Sequence, residues 1–166
     1  MSYLENYGGL SLVLSAAGFM PITIYNAGTE NYTLEAIDYE NQSATITREA
    51  SDIKLVRPNA DWGAVMLGNQ AAIDMTGATK LKVTCTHNAN DTIFKLCVGT
   101  STKNMVQNYS QLINTYASLS DGENARSNYV LELDITGISG NAYFGILFGT
   151  WNNNPQNAYI YKIEIV

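Results

Sequence analysis

Residues 80–87 read Lys-Leu-Lys-Val-Thr-Cys-Thr-His, and residues 92–99 read Thr-Ile-Phe-Lys-Leu-Cys-Val-Gly. Apolar and polar side chains alternate along much of both segments, and this two-residue period is typical of strands that bury one face. Elsewhere the sequence is rich in tyrosine and β-branched residues, which favour the pleated, half-buried surface of a sheet. The two segments therefore predict a sheet that turns one face into a hydrophobic core.

Short apolar segments of the same kind recur along the chain, with turn-forming residues between them. Asp121-Gly122 and Asn152-Asn153-Asn154-Pro155 are two such turns. The spacing of the segments predicts an all-β sandwich or jelly roll with mostly antiparallel strands. The predicted strands are residues 10–15, 21–26, 32–37, 43–48, 53–57, 62–67, 80–87, 92–99, 128–134, 142–149 and 158–165.

The longest stretch without a strand pattern is residues 100–127. Two interpretations remain open there: a long ordered loop, which is slightly favoured, and a short helix that ends at Asp121-Gly122. The apolar side chains that could line one face of this helix are Met105, Leu112, Ile113 and Tyr116.

One domain is expected from the length of 166 residues, because a chain of this size buries about two-thirds of its unfolded surface. Residues 10–17 are apolar, but no Lys or Arg precedes them and Glu5 does, which is the wrong flank for a signal peptide. The apolar run is also too short to cross a bilayer. We expect residues 1–20 to be a first strand or an oligomerisation element, followed by a β-sandwich domain at residues 21–166.

The two cysteines are predicted to be free thiols. Cys85 shares a face with the leucine and valine of its segment, whereas Cys97 lies opposite Phe94. If residues 80–87 and 92–99 form a hairpin, the two sulfur atoms point to opposite faces and cannot meet the geometry of a disulfide.

The charge of the chain argues against a nucleic-acid partner. The net charge is −6, the pI is about 4.6, and charged residues make up only 14% of the sequence. Phosphate-backbone binding needs clustered Lys and Arg, which the sequence lacks. The polar surface must therefore come mainly from Asn, Thr, Ser, Gln and Tyr.

Catalytic patterns are missing, so the chain is predicted not to be an enzyme. His87 is the single histidine, no histidine pair or C-x-x-C is present for zinc, and no G-x-S-x-G elbow supplies a nucleophile. His87 is interpreted as a solvated loop residue. A glycoside-cleaving enzyme stays as an alternative, since glycosidase carboxylates follow no sequence spacing. Its candidate carboxylates are Asp38, Glu40, Asp61 and Glu123.

Two segments repeat one pattern: residues 73–77 read Ile-Asp-Met-Thr-Gly, and residues 133–137 read Leu-Asp-Ile-Thr-Gly. In each, the Asp side chain can accept a hydrogen bond from the backbone two residues on, and Gly can end the turn. An apolar residue separates Asp from Thr-Gly, unlike the Asp-Thr-Gly of aspartic proteases. Both segments are predicted to be turns beside strands.

No cofactor is expected. Calcium is the one metal that the loops could hold. Carboxylates, amides and backbone carbonyls are the oxygen ligands that calcium prefers. The candidates are Asp91, beside Asn88 and Asn90, and Asp121, beside Glu123 and Asn124.

Trp151 stands before an amide-rich segment in a predicted loop. An aromatic ring flanked by neutral donors and acceptors suits a sugar, which presents C–H faces and hydroxyl edges. The alternative is that Trp151 caps the core and the asparagines only turn the chain. The predicted carbohydrate-binding residues are Trp151, Asn152, Asn153, Asn154, Tyr109 and Tyr116.

Several segments together resemble a family of jelly-roll domains, similar to carbohydrate-binding modules, at the ends of tail and baseplate proteins of Firmicutes phages and prophages. The segments are residues 22–30, 73–77, 80–83, 131–137, 143–146 and 159–165. The resemblance implies a galactose-binding-like sandwich on a virion or extracellular surface. The role that it implies is glycan binding on a host cell or attachment of the particle. Together with the missing catalytic patterns, the acidic charge and the short apolar run, it predicts a non-catalytic adhesion module without nucleic acid or membrane insertion.

A structural virion protein is the competing interpretation. A decoration, fibre or baseplate component would act through contacts with its own copies or with other virion proteins. The apolar residues 10–14 favour this alternative, because they could dock on a partner.

Overall fold

The computed structural model describes residues 18–39, 45–57, 63–87, 92–108, 111–121, 126–150 and 156–166. The predicted strand at residues 10–15 and nearly all of the predicted oligomerisation element lie outside these residues, so both stay predictions. Within the described part, no helix is long and apolar enough to cross a bilayer.

The described residues form fifteen strands and one short 3-10 helix. In chain order, the strands are β1 (Ile22–Asn26), β2 (Thr29–Glu30), β3 (Leu34–Tyr39), β4 (Thr45–Arg48), β5 (Ile53–Arg57), β6 (Gly63–Asn69), β7 (Ile73–Asp74), β8 (Lys80–His87), β9 (Thr92–Gly99), β10 (Val106–Asn108), β11 (Gln111–Leu112), β12 (Thr115–Ser120), β13 (Arg126–Asp134), β14 (Asn141–Thr150) and β15 (Gln156–Ile165). The 3-10 helix is Thr102–Asn104.

Two large antiparallel sheets and the two-stranded β10–β11 hairpin make up the described fold. The seven-stranded sheet has the order β13-β8-β15-β1-β2, with β5 also paired to β15 and β4 paired to β5. The six-stranded sheet has the order β12-β9-β14-β6-β3, with β7 paired to β14. β15 lies inside the larger sheet, since it pairs with β8 on one side and with β1 and β5 on the other. The predicted antiparallel β-sandwich is confirmed.

The core lies between the two sheets and follows from the alternation of the strands. Leu81 and Val83 on β8 point into it from the larger sheet, and Phe94, Phe144 and Phe148 point into it from the smaller sheet. All five are 0% exposed. Burying a side chain of this size stabilises a fold by roughly 1.5–3 kcal/mol, so the inward faces hold the sheets together.

A second apolar cluster covers the outer face of the six-stranded sheet. It is closed by residues 102–108 and 111–112, which we call the covering segment. Met105 of this segment is fully buried, and a Cβ atom added to Gly99 of the sheet would lie 2.8 Å from its sulfur. The same Cβ atom would lie 2.4 Å from the backbone oxygen of Asn114, so the close approach requires glycine. The sheet residues of the cluster are Ala64, Met66, Ile93, Cys97 and Leu147.

The predictions for residues 100–127 were wrong on two counts. Met105 and Leu112 do not share a helix, because they lie in and beside the β10–β11 hairpin of the covering segment. A strand is also present where none was predicted, since β12 pairs with β9 at the sheet edge. β12 was not recognised from sequence because it turns only two apolar side chains inward, Ala117 and Leu119, and exposed residues alternate with them.

A buried amide ties β6 to β14. Asn69 is 0% exposed. Its Oδ1 accepts a hydrogen bond from the backbone N–H of Phe144 at 2.7 Å, and its Nδ2 donates to the carbonyl of Ala71 at 2.7 Å. Its own carbonyl accepts from the hydroxyl of Thr102 at 2.9 Å. The Asn69 side chain therefore joins the end of β6 to the buried backbone of β14 and to the turn that follows β6.

Both cysteines are free, as predicted, and both are buried. The hairpin premise was wrong, because β8 and β9 belong to different sheets. Cys85 lies in the core between the sheets, whereas Cys97 lies in the outer cluster. Burial raises the pKa of each thiol to about 12.

Native protein is expected to resist thiol labelling. Because burial disfavours the thiolate and blocks access, an aromatic disulfide reagent at neutral pH should label neither Cys85 nor Cys97 within minutes. The same reagent in concentrated urea should label both, as absorbance will show. Rapid labelling of native protein would contradict the burial of the labelled cysteine.

Candidate functional site

Most of the predicted glycan-binding residues lie outside the described part of the chain. These are Trp151, Asn152, Asn153, Asn154 and Tyr109. The structure does place Tyr116, on the edge strand β12. Pairing between β12 and β9 shifts register between Thr115 and Ala117. Tyr116 lies at this irregularity, and its side chain is 58% exposed.

An open depression of about 600 Å³ lies beside Tyr116. Its other wall is the connection between β13 and β14. The described residues that line the depression are Tyr116, Thr136, Gly137, Ile138 and Ser139. The edge strand β12 and the β13–β14 connection thus meet at the depression.

The turn in this wall has the geometry that its sequence predicted. Oδ1 of Asp134 accepts a hydrogen bond from the backbone N–H of Thr136 at 2.8 Å, and Gly137 has a φ of +88°. Oδ1 of Asp74 accepts from the N–H of Thr76 at 3.0 Å in the matching segment. The prediction of two aspartate turns is confirmed.

Hydrogen bonds to both carboxylates keep them ionised. The backbone hydrogen bond from Thr136 is the main cause that lowers the pKa of Asp134. For Asp74, the hydroxyl of Thr76 is the main cause, followed by its backbone N–H. Both groups therefore carry negative charge at neutral pH.

The two turns are also bonded to each other. The N–H of Gly140 donates to the hydroxyl of Thr76 at 2.8 Å, and the N–H of Met75 donates to the carbonyl of Gly140 at 3.0 Å. Gly140 directly follows Ser139, which lines the depression. The wall is therefore fixed before any ligand arrives, which reduces the ordering that binding would require.

The lining has the chemistry of a recognition surface. It offers hydroxyl groups from Tyr116, Thr136 and Ser139, an apolar side chain from Ile138, and exposed backbone at Gly137. None of the described lining residues has a carboxylate, an imidazole or a thiol. They can hold a neutral, hydroxyl-rich molecule against an aromatic ring.

His87 does not line the depression, and its position contradicts the prediction made from sequence. It was expected to be a solvated loop residue, but it ends β8 on the core face and is 1% exposed. Its ring stacks on Phe94, with ring centroids 5.3 Å apart. The two-residue period of β8, which places His87 on the same face as Leu81 and Cys85, was the signal that could have located it.

His87 belongs to a buried polar cluster around Asp121. Its Nε2 lies 3.1 Å from Oδ2 of Asp121, and the hydroxyl of Tyr129 donates to the same oxygen. Nη1 of Arg126 lies 3.1 Å from Oδ1. The Asp121 side chain is only 4% exposed. The cluster links residues beyond β12 to β8 and β13, and so bridges both sheets.

The calcium candidates receive no support from this arrangement. Both carboxylate oxygens of Asp121 are engaged by protein donors, and Asp91 lies outside the described residues. Within the described ranges, no group of three His, Cys, Asp or Glu side chains could hold a metal ion. Calcium binding stays a prediction from sequence.

The fold is a jelly-roll β-sandwich, and comparison with known proteins agrees. No family model and no curated protein sequence matches the chain. Among solved structures, a mutant of CBM29-2, a family 29 carbohydrate binding module, has a TM-score of 0.56 at 13% identity, with 89% of this chain and 92% of that chain covered.

Two further mutants of CBM29-2 were solved with sugars, one with cellulohexaose and one with mannohexaose. Both have a TM-score of 0.55, at 11% and 12% identity respectively. Each comparison covers 87% of this chain and 89% of the other. At these identities the likeness shows a shared fold.

Proposed function

We propose that the chain is a non-catalytic glycan-binding module whose contact surface includes Tyr116. The observation that carries the proposal is the exposed Tyr116 ring beside a neutral, hydroxyl-lined depression. Structural neighbours that are carbohydrate binding modules, two of them solved with hexasaccharides, support it.

Tyr116 has the properties that a sugar contact needs. Its ring presents a flat apolar face, which can cover the C–H face of a pyranose, while its hydroxyl can bond at the edge. Thr136 and Ser139 lie across the depression and can serve the sugar hydroxyl groups as donors and acceptors.

A binding role fits this site better than catalysis. No described lining residue is a carboxylate, whereas glycoside hydrolysis uses a pair of them. The side chain of His87 is 0% exposed, which leaves it no access to a substrate. The glycosidase candidates, namely the side chains of Asp38, Glu40, Asp61 and Glu123, lie outside the described part, so the enzyme alternative rests on sequence alone.

The biological setting of this binding is part of the proposal. The resemblance to phage and prophage tail domains supports a virion or extracellular surface, with host-cell glycan as the partner. The competing role, a structural virion protein acting through subunit contacts, depends on residues 10–14, which lie outside the described residues.

Tyr116→Ala is expected to weaken glycan binding about tenfold, which corresponds to about 1.4 kcal/mol. The loss follows from removing the ring face that covers the sugar. A glycan array identifies the best ligand of the wild-type chain, and isothermal titration calorimetry then compares the variants.

Tyr32→Ala is the matched control, since Tyr32 is also an exposed tyrosine, at 37%, and does not line the depression. It should bind like wild type, and Tyr116→Phe should retain most of the affinity. The proposed function is contradicted if the array shows no bound glycan, or if Tyr116→Ala binds as tightly as the control.

A further inference from the structure

Building on the proposed function, we infer that Thr76 is a positioning residue for glycan binding, although it does not line the depression. Its hydroxyl holds the β13–β14 connection, which carries four of the five described lining residues, against the sheet that carries Tyr116. Thr76 therefore acts on a bound glycan through the wall, without touching the sugar.

The β13–β14 connection passes from one sheet to the other. It leaves the seven-stranded sheet at Asp134 and enters the six-stranded sheet at Asn141. Tyr116 belongs to the six-stranded sheet through β12. The separation between the tyrosine ring and the opposite wall therefore depends on how firmly the connection is tied to this sheet.

The turn between β7 and β8 holds the connection at both ends. At the start of the connection, the N–H of Ile135 donates to the carbonyl of Thr79 at 2.9 Å. At its end, the N–H of Met75 donates to the carbonyl of Gly140 at 3.0 Å, and the N–H of Gly140 donates to the hydroxyl of Thr76 at 2.8 Å. Of these three hydrogen bonds, only the one to Thr76 uses a side chain, so a substitution can remove it.

The hydroxyl of Thr76 is itself oriented by Asp74. It donates to Oδ1 of Asp74 at 2.7 Å, which leaves its oxygen lone pairs to accept the N–H of Gly140. β7, which ends at Asp74, pairs with β14 in the six-stranded sheet. Since Gly140 directly follows Ser139, this hydrogen bond restricts the backbone immediately beside a lining residue.

A wall that is already held loses less conformational freedom when a glycan binds. The hydrogen bond between Thr76 and Gly140 is exposed to solvent, so water can replace the hydroxyl and the fold should survive its removal. The ligand would then have to order the wall itself. Loss of the hydroxyl should therefore lower the affinity for glycan while it changes the global stability little.

Three variants separate the hydroxyl from the rest of the side chain. Thr76→Val removes the hydroxyl but keeps the branched shape, whereas Thr76→Ser keeps the hydroxyl. Thr79→Val is the matched control: Thr79 is also an exposed threonine, but its hydroxyl donates to the carbonyl of Val166 at 3.1 Å and not to the connection. Calorimetry compares them with wild type, using the glycan that wild type binds most tightly on an array that includes cellulohexaose and mannohexaose.

Thr76→Val is expected to bind this glycan about threefold more weakly than wild type. Without glycan, its Gly140 amide should exchange with deuterium about fivefold faster, as NMR will show. Thr76→Ser and Thr79→Val should match wild type in both measurements. All three variants should unfold at about the same urea concentration as wild type, because each change is on the surface.

The positioning role is overturned if Thr76→Val binds as tightly as Thr79→Val, or if Thr76→Ser loses as much affinity as Thr76→Val. It is also overturned if the Gly140 amide exchanges at the wild-type rate in Thr76→Val, or if this variant unfolds at a clearly lower urea concentration. These results leave glycan binding through Tyr116 intact. Absence of any glycan bound by the wild-type chain contradicts the proposed function itself.

Discussion

Asn69→Leu is expected to lower the free energy of unfolding by about 3 kcal/mol. Leucine has a similar size but cannot replace the hydrogen bonds of the amide. The buried N–H of Phe144 would lose its acceptor at 2.7 Å, and the partly buried carbonyl of Ala71 would lose a donor at 2.7 Å. Since an unsatisfied buried group costs roughly 1–3 kcal/mol, the N–H of Phe144 accounts for most of the expected loss.

Urea unfolding followed by circular dichroism measures this change. Gln70→Leu is the control, because Gln70 is the next residue and is exposed, and a surface change of this kind stays within about 0.5 kcal/mol. If Asn69→Leu and Gln70→Leu unfold at the same urea concentration, the buried amide does not stabilise the junction of β6 and β14.

Asp121→Ala should cost about 3–4 kcal/mol, because it removes the acceptor at the centre of a buried cluster. Nε2 of His87 and the hydroxyl of Tyr129 would lose their shared partner. Nδ1 of His87 is already buried and has no hydrogen-bond partner within the described structure, so the imidazole would be left without one at either nitrogen.

Arg126→Gln distinguishes the buried contacts of Asp121 from the exposed one. The Arg126 side chain is 50% exposed, and solvent screens such a pair to about 1 kcal/mol or less. Asp121→Asn, which keeps one acceptor oxygen, should fall between the two. If Arg126→Gln is as destabilising as Asp121→Ala, the contribution assigned to His87 and Tyr129 is wrong.

Three interior strands could be predicted from sequence with accurate ends. Ile53–Arg57, Lys80–His87 and Thr92–Gly99 match their predicted ranges to the residue. Each pairs on both sides within its sheet, and burying one face of a strand imposes the two-residue period on the sequence.

Elements that depend on long-range contacts could not be predicted in this way. Met105 is buried because glycines of the six-stranded sheet let the covering segment approach closely, and no local period records that contact. The alternation of β8 predicts a buried side chain at position 87. The sequence interpretation instead placed His87 in a solvated loop, because its side chain is polar.

The residues of the candidate site also divide into those that the sequence located and those that depend on long-range contacts. Tyr116 was selected from sequence as an aromatic residue, and the structure confirms that it is exposed. The sequence did not single out Thr136 and Ser139 as residues beside Tyr116, although it located the turn that contains Thr136. Their place in the lining of the depression depends on the approach of the β13–β14 connection to β12, which only the assembled sandwich defines.

The position of β15 has a consequence for how the molecule reaches this structure. Its residues pair with β8, β1 and β5, and Ile165 meets Ile22 across nearly the whole described chain. Contacts between residues so far apart in sequence make folding slow, because a large loop must close before they form. Until that loop closes, β8 and β1 lack the strand that pairs with both of them, and we expect aggregation through these open edges to compete with folding.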